Sequence, residues 1–197
     1  MREHILRRLA AAPPSSEPRG DHDLSPDLSP PIDATPAAVL LPLIEHPGGL
    51  TLVFTERTDH LLDHPGQVAF PGGRAEPDDR DAAATALRET HEEIGLAPER
   101  VELAGHLGPY VTGTGFHITP VVGFVRPPVE FTPDPYEVAE VFEVPFAFLL
   151  DRVNRKIEST FWKGRERDYY VFDYDGHTIW GVTAGILVGF CDLVSET

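Results

Sequence analysis

Short apolar runs separated by turn-forming residues make up most of this chain. Residues 37–44 and 50–55 are rich in aliphatic and β-branched side chains and flank the turn HPGG, so both are predicted strands. Residues 67–70 read as a short strand entering a glycine loop. Residues 101–107, 117–125 and 138–144 read as further strands, the last alternating apolar with acidic positions. A helical turn is predicted over 145–151. Strands follow at 160–163, 169–174 and 177–180, the last two joined by the hairpin signal Asp175-Gly176. Two longer stretches read as helices, at about 81–94 and over the apolar run 183–194, and a short helix is open at 3–10. Residues 13–36, with their Pro, Ser and Asp and the tandem DLSPDLSP, read as a linker. These patterns predict a flexible segment 1–36 followed by one α/β domain 37–197, a mixed sheet with a helix on each face.

The helix at 81–94 carries the chemistry. At about 100° per residue, Ala83, Leu87, Thr90 and Ile94 share one buried stripe, and Glu89, Glu92 and Glu93 are expected on the opposite arc, facing solvent or a ligand. The three glutamates lie three and four residues apart, so they can converge on one site. Bare, they repel; Mg²⁺ or Mn²⁺, which favour carboxylate oxygen, would reverse that. Arg88 is four residues from Glu92 and can orient it. Asp81 is the expected N-cap and Gly95 the helix stop. Gly72 and Gly73, just ahead of the helix, are read as a loop that lets a phosphate approach the backbone.

Composition narrows the setting. The 197 residues hold 16 Lys and Arg against 32 Asp and Glu, a formal net charge of −16, which argues against a broad nucleic-acid surface. An anionic substrate would then depend on bound cations, with Arg57, Arg74 and Arg88 as the nearby basic residues. The single Cys191 excludes an internal disulfide and suits core packing in a reducing compartment. No secretory signal and no apolar run of spanning length are present, so a cytoplasmic protein with no membrane partner is expected. The sequence leaves the oligomeric state, including a homodimer, open.

The segment 70–96, FPGGRAEPDDRDAAATALRETHEEIGL, resembles the signature box of the Nudix hydrolases, G-x5-E-x7-R-E-U-x-E-E-x-G-U, at Gly73, Arg88, Glu89, Glu92, Glu93, Gly95 and Leu96. The interval from Gly73 to Arg88 is one residue longer than the pattern. Arg80 stands where the pattern has its first glutamate, so Asp79 or Glu76 is left to brace the loop. Upstream, FTERTDHLLDHPGQVAFPGG is similar to the extra motif of the coenzyme A pyrophosphatase branch at Thr55, Arg57, Thr58, Gly66, Phe70, Pro71, Gly72 and Gly73, with Leu62 in place of an arginine.

The resemblance implies an α/β/α sandwich and a Mg²⁺- or Mn²⁺-dependent pyrophosphohydrolase. Glu89, Glu92 and Glu93 would hold metal, and Arg88 would order the cluster. Arg57, Gly72, Gly73 and Arg74 would meet the substrate. Glu89, Glu92 or Glu137 would take the proton of the attacking water; Glu137 has counterparts at about its position in related enzymes. The implied substrate is coenzyme A or an acyl derivative, giving 3′,5′-ADP and 4′-phosphopantetheine. Another nucleoside diphosphate compound such as ADP-ribose, or a non-catalytic ligand sensor on the same fold, are the alternatives.

Elsewhere the residues point to structure. His60 and His64 lack the companions of a zinc motif. Gly113 and Gly115 read as a turn before a strand. Tyr110, Phe116, Phe142 and Trp180 are expected in the core.

Overall fold

The computed structural model describes residues 1–11, 18–24, 33–61, 64–162 and 164–195. In chain order the elements are α1 (Arg2–Ala11), β1 (Arg19–Gly20), β2 (Thr35–His46), β3 (Gly49–Arg57), β4 (Val68–Ala69), β5 (Gly72–Arg74), α2 (Ala82–Ile94), β6 (Val101–His106), β7 (Tyr110–Val111), β8 (Phe116–Val125), β9 (Val138–Pro145), α3 (Phe146–Leu150), β10 (Lys156–Trp162), β11 (Arg165–Tyr174), β12 (His177–Trp180) and α4 (Gly181–Ser195). β2 and β8 run parallel from Thr35↔Phe116 to Ile44↔Val125, while β3 and β5 lie antiparallel to β2, and β4 and β9 to β3. With β1, β6 and β7 they form a nine-stranded mixed sheet. A second sheet holds β10, β11 and β12.

Alternation along the central strands produces two cores, because successive side chains leave a strand on opposite faces. On β2, Ala38, Leu40 and Ile44 pack with Ala86 and Ile94 of α2, whereas Leu41 and Leu43 pack with Phe146, Phe172, Phe190 and the rest of α4. Val53 and Phe54 divide in the same way on β3. The sheet is therefore covered by α2 on one side and by α3, α4, α1 and the small sheet on the other, an α/β/α arrangement. Cys191 is buried in the α4 core, and that burial pushes its thiol up to about 12. Among the described residues no helix is long and apolar enough to cross a membrane.

Three expectations are corrected. The described part of 1–36 is docked: Ile5 is fully buried and Leu9 nearly so, Arg2 pairs with Glu45 (2.7 Å), and the Arg8 guanidinium donates to the Leu193 carbonyl (2.8 Å). Leu9 packs against Gly105 of β6, whose positive φ of 144 favours glycine. Burying one large aliphatic side chain is worth about 1.5–3 kcal/mol, enough to order a short helix that composition alone leaves free. Second, Gly72 and Gly73 belong to a strand, since both pair with β2. Third, β10 and β11 are longer than the apolar runs suggest, because cross-strand pairing carries exposed residues such as Glu158 and Asp168 into the hairpin. Leu62, the point of departure from the coenzyme A motif, lies outside the described residues, as do 25–32 of the linker.

Candidate active site

Local signals set α2 as expected. The Asp81 carboxylate accepts from the Ala84 N–H (2.8 Å), and Gly95, at φ 70, ends the helix with its N–H on the His91 carbonyl. The loop between β8 and β9 then returns across that end. The Thr132 and Asp134 N–H groups donate to the Ile94 and Glu93 carbonyls, each at 2.9 Å, and satisfy acceptors that a helix terminus leaves open. Thr58, at the end of β3, donates its hydroxyl to the Tyr136 carbonyl (2.8 Å) and its N–H to the Glu137 carbonyl (3.0 Å). Glu137 is thereby fixed beside the helix.

Arg88 is the hub of the acidic face. Its Nε and Nη2 fork onto the two Asp79 oxygens (3.1 and 3.0 Å), Nη1 donates to Glu89 (2.9 Å) and Glu92 (3.0 Å), and Nη2 also reaches the Arg74 carbonyl (3.0 Å). The guanidinium holds the Asp79 carboxyl well below the usual carboxylate range, helped by the Glu76 N–H and the Thr85 hydroxyl. Of the two candidates for bracing the loop, Asp79 is the one in close contact; Glu76 stands 3.9 Å from Arg88. The shorter aspartate reaches because the turn closed by the Asp79 N–H on the Glu76 carbonyl absorbs the extra residue of the interval.

The three glutamates do not share one arc. The buried face of α2 is rotated toward Ala86 and Glu93, so Glu93 is only 7% exposed, whereas the Glu92 side chain is 57% exposed and, among the described residues, pairs only with Arg88. Glu93 Oε2 accepts from the Gly72 N–H (3.1 Å). Burial pushes its carboxyl up to about 8; Glu89 and Glu137 add to the rise, while the Gly72 N–H and Arg57 oppose it. Glu89 is also raised by burial, against its bond to Arg88, with Glu92 and Glu137 contributing. Glu89, Glu93, Glu137 and Arg57 thus lie within electrostatic reach of one another at the strand-facing side of α2.

The glycines make this approach possible. At Gly73 a Cβ would stand 2.6–2.7 Å from the Glu89 carboxylate; at Gly72 (φ 153) it would meet the Ala38 carbonyl at 2.4 Å. What comes close to these backbones is therefore a carboxylate and a neighbouring strand, not the open space a phosphate loop would offer. Arg74, exposed at the strand end, lies over the Phe116 ring.

The donor set suits a hard divalent cation. Glu89 and Glu93 are oxygen donors held where water cannot fully solvate their charge, and Glu93 has no ion pair among the described residues. Another trio, Glu56, Glu140 and His177, brings three ligand atoms within 4.8 Å on the other face of the sheet. There the His177 Nδ1 is 3.0 Å from Glu56, its Nε2 is 3.9 Å from Glu140, and the ring stacks on Phe142. The two carboxylates flank opposite nitrogens, which is the geometry of a clasp between β12 and the main sheet.

Sequence reasoning missed that clasp, whose partners are scattered along the chain. It also missed the position of Trp180, which is 41% exposed and not in the core. Gly113 does sit in a turn, its N–H taken by Asp21 (2.8 Å).

Comparison with known proteins agrees with this geometry. Residues 34–168 match the family model of the NUDIX domain. The chain is 41% identical over 151 residues to the uncharacterized Nudix hydrolase NudL of Photorhabdus laumondii subsp. laumondii, covering 77% of this chain and 80% of the relative. It is 42% identical over 153 residues to the NudL protein of Enterobacter sp. (strain 638), covering 77% and 78%. Among solved structures, the Nudix hydrolase RenU of M. smegmatis superposes with a TM-score of 0.50 over 60% of this chain and 74% of its own, at 24% identity, a likeness of fold. An α/β/α sandwich that sets the arginine and glutamates of the signature box against a glycine strand, matched over most of its length by such relatives, belongs to the Nudix hydrolases, enzymes of the pyrophosphate bonds of nucleoside diphosphate derivatives.

Proposed function

We propose that this enzyme hydrolyses the diphosphate of coenzyme A or an acyl-coenzyme A, with Mg²⁺ or Mn²⁺, to 3′,5′-ADP and 4′-phosphopantetheine. The observation that carries the reading is the buried Glu93 carboxylate, held by the Gly72 N–H (3.1 Å), with Glu89, Glu137 and Arg57 within electrostatic reach of it. A negative cluster with its charge disfavoured is a site for a divalent cation and the phosphates it neutralises. The coenzyme A assignment is supported by what the upstream motif does. Thr58 tethers the Glu137 backbone, Gly66 (φ 65) permits the turn before β4, and Arg57 puts its charge on the cluster.

In this mechanism Glu93 and Glu89 would hold the cation, with Glu92 as an outer carboxylate that Arg88 orients. When bound, the cation supplies charge neutralisation and a more acidic water. Glu137, whose carboxylate has no hydrogen bond or ion pair among the described residues, takes the proton of the attacking water. The water oxygen bonds to one phosphorus, the anhydride P–O bond breaks in line, and the leaving phosphate departs beside Arg57. Arg88 acts through others, keeping Glu89 and Glu92 in place while Asp79 fixes its own plane.

The test is turnover of coenzyme A, acetyl-coenzyme A and ADP-ribose with Mg²⁺, with Mn²⁺ and in excess chelator, with products identified. Coenzyme A and its acyl form are expected to be cleaved only with metal. A kcat/KM for ADP-ribose greater by orders of magnitude would overturn the coenzyme A assignment, and full turnover in chelator would overturn the metal role.

A further inference from the structure

β3 and β9 pair residue for residue from Thr51↔Pro145 to Glu56↔Glu140, and there the register slips. The next pair is Arg57↔Val138, so Ala139 is an extra residue on β9, a β-bulge. Bulges recur beside active sites, where they re-aim side chains. This one lies just after Glu137, the carboxylate assigned above as the base.

The bulge decides which face the start of β9 serves. Side chains alternate along a strand, so Phe142, Glu140 and Val138 would all leave an unbroken β9 on one face. Phe142 packs on the α4 side, as does Phe54 opposite it, yet Val138 is buried in the core under α2. The extra residue at Ala139 makes that reversal. It turns the segment ahead of Val138 toward α2, where the charge of Glu137 is felt at Glu89 and Glu93. Two bonds hold the far end of the bulge: the Thr58 N–H donates to the Glu137 carbonyl (3.0 Å) and the Val138 N–H to the Asp134 carbonyl (2.8 Å).

The near end is held by the His177 clasp. Glu56 and Glu140 are the last regular pair before the slip, and they share the face of Phe54 and Phe142. Two carboxylates directly opposite across strands repel and loosen the ladder at the point where it must stay in register. His177 enters from β12 and lies flat on Phe142, with ring centroids 3.8 Å apart and an interplanar angle of 7°. From there its Nδ1 is 3.0 Å from Glu56 and its Nε2 is 3.9 Å from Glu140. One ring from the second sheet thus ties both strands of the main sheet at the residue pair where the bulge begins.

We infer that His177 is a positioning residue for the reaction: by joining Glu56 to Glu140 it fixes the bulge at Ala139, and through the bulge it fixes the place of Glu137 on the opposite face of the sheet. This role rests on the reading of Glu137 as the general base. It also gives the small sheet a part in catalysis, since β12 supplies the ring that holds β3 and β9 in register.

The experiment sets backbone hydrogen exchange beside steady-state kinetics of the full chain with Mg²⁺. The substrate is coenzyme A, or ADP-ribose if only that is cleaved. His177→Ala is expected to speed exchange of the Thr58 and Val138 amides about tenfold or more, while amides of the β2–β8 ladder keep their protection. Its kcat is expected to fall about tenfold or more, toward that of Glu137→Gln, with KM within about twofold. His177→Asn, whose amide nitrogen can stand near the place of Nδ1, is expected to restore most of both. Glu56→Ala cuts the shorter arm and keeps the ring, and it is expected to move both readouts in the same direction, so the test stands even if His177→Ala does not fold. A folded His177→Ala with a lower Tm but unchanged exchange at Thr58 and Val138 overturns the inference. So does an unchanged kcat where Glu137→Gln lowers it, or a Glu56→Ala variant that leaves both readouts at wild type. If Glu137→Gln itself keeps the wild-type kcat, the base reading falls on that variant alone, and the exchange rates still judge the clasp.

Discussion

Replacing Glu93 with glutamine tests the buried carboxylate through stability, independently of turnover. In the folded protein its carboxyl rises from 4.5 to about 8, chiefly through burial. Between those values the native state holds a proton that the unfolded chain has released, so stability falls as pH rises. The contribution is fully present below about 4.5 and lost above about 8. At about 1.4 kcal/mol per pH unit the loss reaches up to about 5 kcal/mol for metal-free protein. Glutamine keeps an acceptor for the Gly72 N–H and carries no charge. Glu93→Gln is therefore expected to match wild type in chelator near pH 5 and to exceed it by several kcal/mol near pH 8.5, a Tm higher by roughly 10 °C for a domain of this size. Added Mg²⁺ should stabilise wild type and close the gap, while the variant responds little. The measurement is thermal unfolding by circular dichroism from pH 5 to 9, with and without metal. A variant less stable than wild type at pH 8.5 in chelator would falsify the claim that burial of this charge is the source of the rise.

Turnover and stability of other variants extend the test. Glu137→Gln should lower kcat about 10²–10⁴-fold with little change in the KM for coenzyme A, the loss expected for a general base; equal loss in KM alone would make it a binding residue. Asp79→Ala should lower kcat/KM by releasing Arg88, and Asp79→Glu should recover part of it; wild-type kinetics in the alanine variant would remove Asp79 from the bracing role. Ile5→Ala should cost about 2–5 kcal/mol in urea unfolding, because the side chain is fully buried, and an effect under 0.5 kcal/mol would mean that α1 does not dock in solution.

The sequence was most legible where short-range physics decides. The cap at Asp81, the stop at Gly95 and the strand character of β2 and β3 depend on neighbours a few residues away, and all stand as expected. Glu93 was misread because its burial depends on β5, whose glycines pair with β2 some 35 residues earlier. Helical periodicity is read as setting Glu93 on the arc opposite the apolar stripe, and it is the covering strand that buries it. The N-terminal stretch was misread for the same reason: Asp21 meets Tyr110 across 89 residues, a pairing that composition cannot reveal. Asp79 was one of two candidates, and the choice between them rests on a turn whose geometry the spacing only hinted at.

The docking of α1 has a consequence for how the molecule comes into being. His4 meets the carbonyl of Val194 and Arg8 that of Leu193, contacts separated by 190 and 185 residues. At a ribosomal pace of about 5–20 residues per second, the helix that emerges early waits on the order of 10–40 s for the surface that will cover it. During that interval Ile5 and Leu9 are exposed on a short amphipathic segment, open to whatever chaperone meets nascent chains. Closure of the second core is thus timed by translation, and a slow codon run ahead of α4 would lengthen the exposure without altering a single contact of the finished protein.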